Sequence, residues 1–277
     1  MDDIYYNSRV WLIYAMYIEE TDSTNSLMAR ILRGEEQQYA DCLKHPIPLI
    51  YTTYQTAGRG QTGNGWESEQ GKNLLFSYLL LRPGIQPAEQ FELNILAAIL
   101  THRAIKDRLS DEQAERLTIK WPNDIYYGDK KLAGILVENS LSGASIQHSI
   151  AGIGININQE QWIGNAPNPI SLKQITGSEH SIDDIIKAFE VYLSEWQLTS
   201  PESRRQYYME HLYRREGYWP FVEREVSTLP TMNASAAAEG QFLARITDIL
   251  PTGEIVLLDR QNNIRTYHFK QIRYVIR

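Results

Sequence analysis

Alternating and continuous apolar runs along the chain predict a β-sheet in its first two thirds. Turn signals rich in proline, glycine and asparagine separate the later runs. This pattern is typical of a mixed or antiparallel sheet. The runs enriched in branched and aromatic residues are Trp11 to Ile18, Leu49 to Gln55, Asn73 to Leu81, Leu117 to Trp121, Lys131 to Asn139 and Ser149 to Ile157.

Apolar residues at helical spacing predict helices that cover the sheet. After the possible capping side chains of Thr21 to Asn25, an apolar stripe ends before Gly34. Further helices are predicted at 87–109, at 181–196 with Ser181 as N-cap, and at 202–215. The fold class that follows is α+β, with a central mixed sheet flanked by helices.

From Gly217 onward the chain changes to short β-prone runs with turn signals, which predict a small C-terminal β-barrel. The small-residue stretch from Asn233 to Ala238 is of the kind that loops and linkers use. We therefore expect two domains, residues 1–216 and residues 217–277.

Composition narrows the function classes. The 277 residues are 43% hydrophobic with a formal net charge of -7, which argues against a general binder of nucleic acid or anionic membranes. Cys42 is the single cysteine, so no intrachain disulfide can form. The start of the chain is acidic and no apolar run approaches the ~20 residues that cross a bilayer. We expect a cytoplasmic protein.

A glycine-rich loop from Gln55 to Trp66 is the first candidate for chemistry. Its glycines, among them Gly58 and Gly60, permit backbone conformations that turn N–H groups toward an anion, and Arg59 adds a planar cation. No Gly-Lys-Ser/Thr closes the loop, and a strand rather than a helix follows it, so neither a phosphate-binding Walker loop nor a Rossmann fingerprint fits. A flexible surface loop with a solvated arginine is the alternative.

A second segment, 119–127, contains Lys120, Asn123 and Asp124, and Lys131 follows closely. Two strands joined by a rigid turn would bring the two lysines and the carboxylate together. Transfer of a nucleotide from ATP needs cations around the α-phosphate, and such a cluster supplies them. The alternative is that Asp124 caps a turn and the lysines are solvated.

A third segment, 150–158, contains glycines where another backbone or a ligand approaches closely, and Asn156 is a compact donor and acceptor. Taken alone, this segment is as consistent with a core strand as with a site. The six histidines show no metal-ligand spacing, and no serine or cysteine nucleophile motif is present.

In order and spacing, these segments resemble the biotin protein ligase family across 19–158. The carrying strings are Asp22-Ser23-Thr24-Asn25, Gln55 with Gly58-Arg59-Gly60, Lys120-Trp121-Pro122-Asn123-Asp124, Lys131-Leu132-Ala133-Gly134-Ile135-Leu136 and Gly154-Ile155-Asn156. The resemblance implies a catalytic domain like that of class II synthetases, followed by an SH3-like β-barrel.

The activity implied by the resemblance has two steps. Biotin and ATP would form biotinyl-5'-AMP and pyrophosphate, and a lysine of a biotin carboxyl carrier domain of a biotin-dependent carboxylase would then accept the biotinyl group. Mg²⁺ would be held through the phosphates, and its protein ligand stays open. A homodimer also stays open.

The resemblance also implies roles for individual residues. The catalytic group would comprise Arg59, Lys131, Lys120 and Asp124. The biotin site would be formed by Ser23, Thr24, Asn25, Gln55, Gly58, Arg59, Gly60, Gln61, Lys131 and Gly134. The adenylate site would be formed by Arg59, Asn64, Trp66, Lys120, Asn123, Asp124, Lys131 and Asn156.

The chain departs from the family pattern at two places. Many relatives have a second basic residue after Gly-Arg-Gly, where this chain has Gln61, and the usual Gly-Glu-Val-like string of the barrel is replaced around 269–272. The sequence before Tyr14 is also too short for the winged DNA-binding domain of some members. We therefore expect the short form of the family and no nucleic-acid partner.

Two alternatives stay open. A lipoate or octanoate protein ligase would share the scaffold, although Gln55 to Trp66 and Lys120 to Asp124 favour biotin. A non-catalytic module that senses a nucleotide is a rival of a different class, against which the two lysines and Asp124 argue.

Overall fold

A seven-stranded mixed sheet forms the centre of the fold. The structure is a computed structural model and describes residues 13–61, 65–162, 164, 168–224 and 240–276. The strands follow the order β1-β2-β3-β7-β6-β5-β4, with β1 parallel to β2 and the other neighbours antiparallel. They are β1 (Ala15–Tyr17), β2 (Leu49–Thr52), β3 (Leu74–Leu81), β4 (Leu117–Lys120), β5 (Asp124–Tyr127), β6 (Lys130–Ser142) and β7 (Ser145–Ile155).

Helices cover both faces of this sheet. On one face, α2 and α5 pack over the largest apolar cluster, where the rings of Phe76 and Phe189 lie 4.6 Å apart. On the other face, Met28 and Ile31 of α1 form a smaller cluster with Leu79. The helices are α1 (Thr24–Leu32), α2 (Phe91–Lys106), α3 (Asp111–Ala114), α4 (Leu172–Thr176), α5 (Ile182–Ser194) and α6 (Pro201–Glu210), with 3-10 turns at Gln37–Lys44, Pro87–Glu89 and Trp196–Leu198.

The burial of strand β3 explains its apolar sequence. Seven of its eight residues are buried, because both faces are covered, and the strand is therefore a nearly continuous apolar run. Ser77 interrupts the run on the face that α1 covers only in part. That partly covered face is the one that carries the candidate site.

A second, separate sheet follows in the C-terminal part. It has the antiparallel order β11-β10-β9-β8-β12, which is consistent with the expected small β domain. The boundary at residue 217 and the closure into a barrel stay predictions, and the stretch from Asn233 to Ala238 lies outside the described residues. The strands are β8 (Trp219–Glu223), β9 (Gln241–Ile249), β10 (Ile255–Asp259), β11 (Ile264–Tyr267) and β12 (Ile272–Tyr274).

The second sheet packs against the turn between β4 and β5. The indole Nε1 of Trp121 donates to the carbonyl of Gly253 at 2.9 Å. Gly253 has φ +102, and a side chain there would approach the ring of Phe91 to 2.7 Å, so this turn requires glycine. In the segment after α6, which pairs with β4, Arg214 donates to the carbonyl of Val275 at 2.9 Å.

Several element boundaries differ from the prediction. The first described strand begins at Ala15, and the predicted helix 87–109 begins at Phe91 after a single 3-10 turn. Helix α6 ends at Glu210 instead of Arg215, because the next residues pair with β4: Ile119 N–H donates to the His211 carbonyl at 2.8 Å. Within the described residues, no helix is long and apolar enough to span a membrane.

Candidate active site

A cleft of about 1110 Å³ lies between the large sheet and the C-terminal sheet. It brings the three sequence segments together with residues of the C-terminal sheet. Asn64, one of the predicted adenylate residues, lies outside the described residues. The other predicted site residues all line the cleft: Ser23, Thr24, Asn25, Gln55, Gly58, Arg59, Gly60, Gln61, Trp66, Lys120, Asn123, Asp124, Lys131, Gly134 and Asn156.

At one end of the cleft, buried polar side chains form a connected network. The hydroxyl of Ser77 donates to either of two oxygens, Thr24 Oγ1 at 2.8 Å or Asn25 Oδ1 at 2.6 Å. The amide of Asn25 donates to Glu138 Oε2 at 2.8 Å and to the Leu136 carbonyl at 3.2 Å. Because these groups hold each other, their orientations are set before any ligand arrives.

The start of α1 is capped differently from the prediction. Ser23 is the N-cap residue but makes no capping hydrogen bond with its side chain. Instead, Gln55 Oε1 accepts from the backbone N–H of Thr24 at 2.7 Å. The helix terminus is thereby satisfied from the neighbouring loop, and Ser23 lines the cleft without serving as the cap.

Three glycines form the floor of the cleft. Gly134 on β6 pairs with Gly154 on β7, and Gly152 lies on the same face two residues earlier. A side chain at Gly154 would overlap the indole of Trp66, and one at Gly152 would overlap the side chain of Asn25. The glycines therefore make room for two side chains that themselves line the site.

The glycine-rich loop folds back on itself. Trp66 N–H donates to the Gly58 carbonyl at 2.8 Å, and a side chain at Gly58 would overlap the Trp66 carbonyl. The N–H groups of Thr56 and Ala57 donate to the carbonyls of Thr21 and Asp22, both at 2.9 Å. These three N–H groups already donate to carbonyls of the protein, so they are not available to bind an anion as the sequence predicted for this loop.

Arg59 connects this loop to the polar end. Its guanidinium lies 2.8 Å from Glu138 Oε2, the oxygen that also accepts from Asn25. Both partners of the ion pair are nearly half exposed, at 44% and 41% of the side chain. Solvent screens such a pair, and the contact therefore orients the loop more than it stabilises the fold.

At the other end of the cleft, the two predicted lysines and the carboxylate meet as expected. Lys120 is the cross-strand partner of Asp124, and Lys131 Nζ lies 2.7 Å from Asp124 Oδ1. Lys131 and Gly134 are three residues apart and would lie on opposite faces of a regular strand. A bulge between the β5 partners Ile125 and Tyr126 shifts the register of β6 and brings both onto the cleft face.

Lys120 lies close to two aromatic rings. Its Nζ lies 4.8 Å from the ring centroid of Tyr126 and 5.1 Å from that of Tyr274. Burial lowers the pKa of Lys120, the carboxylate of Asp124 opposes this shift, and the cations of Lys131 and Arg214 add to it.

Asn123 and Asn156 have different surroundings. The Asn123 amide donates to the Ile135 carbonyl and fastens the turn to β6. The Asn156 amide donates to the Ile170 carbonyl at 3.1 Å, but Asn156 Oδ1 is buried without a partner among the described residues. Trp66 Nε1 is likewise buried without a partner in that part of the chain. Two residues that line the same cleft therefore each contain a buried polar atom without such a partner.

The sequence motifs did not single out three residues that the structure places at the site. Ser77 and Glu138 hold the polar end, and Tyr274 reaches Lys120 from the C-terminal sheet. Ser77 could have been recognised in the sequence, because it is a polar residue within the apolar run of β3. For metal binding, the residues that the structure describes contain no group of three or more histidine, cysteine, aspartate or glutamate side chains that could hold an ion.

Fold and cleft together place the chain in the class of proteins built on the biotin and lipoate ligase scaffold. A profile of the biotin/lipoate A/B protein ligase family matches residues 22–156, and this stretch contains every predicted site residue. This match agrees with the resemblance found in the sequence.

Individual relatives agree with this assignment. The chain is 37% identical over 132 residues to the bifunctional ligase/repressor BirA of Bacillus subtilis, a match that covers 47% of this chain and 37% of that protein. It is 29% identical over 184 residues to the biotin--[acetyl-CoA-carboxylase] ligase of Paracoccus denitrificans, covering 65% of this chain and 71% of the relative. The chain thus spans well under two thirds of the Bacillus subtilis protein.

Solved structures confirm the fold. The biotin protein ligase of Aquifex aeolicus in complex with biotin and ATP superposes with a TM-score of 0.64 at 21% identity. The superposition covers 94% of this chain and 99% of that one, so it includes the second sheet as well as the first. Both expected parts of the architecture are therefore present in that relative.

Proposed function

We propose that this chain is an ATP-dependent biotin protein ligase that forms biotinyl-5'-AMP, releases pyrophosphate and transfers biotin to a lysine of a biotin carboxyl carrier domain. The observation that carries the proposal is the cleft itself, in which a polar network around Asn25 and a cluster around Lys131 occupy opposite ends of one cavity. A molecule with a polar ring at one end and a carboxylate at the other fits between them.

The polar end suits the ureido ring of biotin. That ring carries two N–H donors and one carbonyl acceptor, each of which needs a partner when it is buried. Ser23, Thr24, Asn25 and Gln55 offer hydroxyl and amide groups there, and Ser77 and Glu138 fix the directions of two of them.

The charged end suits transfer of the adenylyl group. As the biotin carboxylate attacks the α-phosphorus, negative charge grows on the phosphate oxygens and on the leaving pyrophosphate. Lys120 and Lys131 bring positive charge to that position, and Asp124 holds the Lys131 ammonium in place. In the second step, the carrier lysine attacks the carbonyl carbon of the mixed anhydride and AMP leaves.

The unused donor and acceptor support a purine nucleotide as the second substrate. Asn156 Oδ1 and Trp66 Nε1 have no partner among the described residues, and both residues line the cleft, where the flat ring of Trp66 suits packing against a base. Adenine offers an amine, ring-nitrogen acceptors and a face for stacking. The names of the relatives from Paracoccus denitrificans and Aquifex aeolicus agree with biotin and ATP as the pair of substrates.

Magnesium fits as an ion that the phosphates carry into the site. Asp124 is a carboxylate at the charged end, but it is already paired with Lys131, and the described residues provide no cluster of ligands around it. Bound to ATP, the ion would neutralise phosphate oxygens and assist departure of pyrophosphate. The cytoplasm, where both ATP and carboxylases are found, is the proposed location.

The partner proposed for the second step is the biotin carboxyl carrier domain of a biotin-dependent carboxylase. The test is incorporation of labelled biotin into an apo carrier domain in the presence of ATP and Mg²⁺. The proposal predicts one biotin per carrier, at its acceptor lysine. As a control, a carrier with that lysine changed to arginine stays unlabelled. No labelling of carriers from several carboxylases would contradict the proposed transfer.

A further inference from the structure

Lys120 is held between two aromatic rings that come from different domains. The ring of Tyr126, on β5, belongs to the same sheet as the lysine, whereas the ring of Tyr274 belongs to β12 of the C-terminal sheet. Among the described residues, Lys120 has no ion-pair partner, although Asp124 lies on the neighbouring strand. The ring faces are therefore the close neighbours of this ammonium.

The ring of Tyr274 is fixed more firmly than its hydroxyl. Tyr274 is 6% exposed, and its ring packs against those of Phe221 and Tyr213 at 5.0 and 5.6 Å. Its hydroxyl is buried without a hydrogen-bond partner in the described part of the chain. The ring has a role in packing and in contact with Lys120, whereas no described residue bonds to the hydroxyl.

The C-terminal sheet is anchored to segments that flank Lys120. Arg214 donates to the carbonyl of Val275, the residue after Tyr274, and Trp121 donates to the carbonyl of Gly253 in the turn between β9 and β10. Both bonds join the C-terminal sheet to residues next to Lys120 in sequence or space. Correct docking of the second sheet therefore sets the distance between the ring and the ammonium.

We infer that Tyr274 is a positioning residue, whose ring face holds the Lys120 ammonium at the adenylation site and makes that step depend on docking of the C-terminal sheet. The inference rests on the proposed ligase function and extends it. A cation over an aromatic face is stabilised by the ring quadrupole, most strongly where water is excluded. Tyr274 itself does not touch the reacting atoms in this account.

Because charged groups surround Lys120, its contact with the Tyr274 ring affects its protonation. Asp124 favours its protonated form, whereas burial and the cations of Lys131 and Arg214 disfavour it. The faces of Tyr126 and Tyr274 also favour the protonated form of Lys120, because they attract a cation and not a neutral amine. Weakening one ring therefore lowers the pKa of Lys120 and leaves less of the cation at alkaline pH.

A series of ring variants at this position tests the inference. Tyr274→Phe removes the unused hydroxyl and keeps the face, and phenylalanines with one, two or three ring fluorines at position 274 then weaken the quadrupole with little change in shape. The measurements are kcat and KM for ATP–pyrophosphate exchange, the pH profile of kcat, and biotin affinity at equilibrium. Phe221→Leu is the matched control, because it removes a ring from the same cluster but not from Lys120.

We expect the kcat of Tyr274→Phe for ATP–pyrophosphate exchange to lie within about twofold of the parent value. Fluorination is then expected to lower kcat stepwise to about a tenth of that value. The alkaline limb of the pH profile moves to lower pH, and biotin affinity stays constant. Phe221→Leu leaves the profile in place. A flat series, or a large loss already in Tyr274→Phe, would overturn the inference.

A second readout separates this inference from the proposed function. Titration of the lysine side chains by NMR in the same series follows the pKa of Lys120 whether or not the protein activates any acid. A fall of that pKa with fluorination supports the contact even if exchange is absent in the parent, in which case the proposed activity alone fails. An unchanged pKa overturns the contact even in an active enzyme.

Discussion

Lys131 and Asp124 are joined by a contact of 2.7 Å between Nζ and Oδ1, although the sheet register pairs Lys131 with Tyr126 and Asp124 with Gly134. The β-bulge in β6 reconciles these facts, because it moves Lys131 onto the face of the sheet that lines the cleft. The carboxylate then holds the ammonium beside the floor formed by Gly134, where the carboxylate of biotin and the α-phosphate of ATP are proposed to meet.

Replacement of Lys131 by alanine is expected to separate chemistry from binding. The positive charge matters most in the transition state, so exchange falls about a hundredfold, whereas biotin affinity falls much less because the polar end is untouched. Pyrophosphate exchange and equilibrium biotin binding measure the two effects. Lys130→Ala is the control, because Lys130 is the exposed neighbour of Lys131 and is not assigned this role. Equal losses in exchange and in binding would contradict the assignment.

Two glycines on β7 allow the ends of the cleft to be tested separately. Gly154→Ala forces the Trp66 indole to move and is expected to raise KM for ATP about tenfold, whereas Gly152→Ala displaces Asn25 and raises the Kd for biotin about tenfold. Each variant is the control for the other, and Gly240→Ala, with open space around it, controls for added bulk. If each variant weakened the binding of both ATP and biotin, the two ends of the cleft would not be separate.

Arg59→Ala is expected to loosen retention of the intermediate. Its ion pair with Glu138 ties the glycine-rich loop to the polar end, and loss of this charge-assisted contact frees the loop to open. Release of labelled biotinyl-AMP is therefore expected to be about tenfold faster, as measured by chase with unlabelled biotin.

Glu138→Gln tests the same connection from the other side. It leaves Arg59 in place but removes the charge that orients it, and it keeps an oxygen for the Asn25 amide. We expect faster release than in the parent but slower release than in Arg59→Ala. Unchanged release from both variants would refute a role for this ion pair in retention.

Stability is expected to depend on pH through His102, which is fully buried. Burial lowers its pKa to about 3, while the neutral ring contacts the Tyr207 hydroxyl at 2.9 Å and the Leu117 carbonyl at 3.2 Å. The unfolded chain binds a proton below pH ~6.5 and the native state does not, so acidification from pH 6.5 toward 3 favours unfolding by about 1.4 kcal/mol per pH unit.

Denaturant titrations between pH 7 and 5 measure this dependence. The parent is expected to lose about 2 kcal/mol of unfolding free energy more than His102→Gln over that range, because glutamine does not titrate. An identical pH dependence in the two proteins would show that His102 does not carry the effect.

Much of the site could be predicted because its residues are close together in sequence. Lys120, Asp124 and Lys131 lie on consecutive strands, so local turns alone bring them together. The apolar run of β3 and the stripe of α1 also predicted their elements closely, since burial on defined faces fixes such patterns.

Other features depend on contacts between distant segments and could not be predicted. Gln55 caps α1 in place of Ser23 because the loop after β2 brings the Gln55 side chain to the first turn of that helix. Glu138 and Tyr274 have no sequence motif that marks them, and each enters the site through sheet register or domain docking. Strands β5 and β8 were missed because each is short and follows a turn with proline or glycine.

The most direct test of the account is magnesium-dependent ATP–pyrophosphate exchange with biotin, lipoate and octanoate offered separately to the parent protein. We expect exchange that requires biotin and that neither of the other acids supports. Exchange with lipoate or octanoate alone would contradict the biotin assignment and favour the lipoate ligase alternative. Exchange with none of the three would contradict acyl-adenylate formation and favour a protein that only binds its ligands.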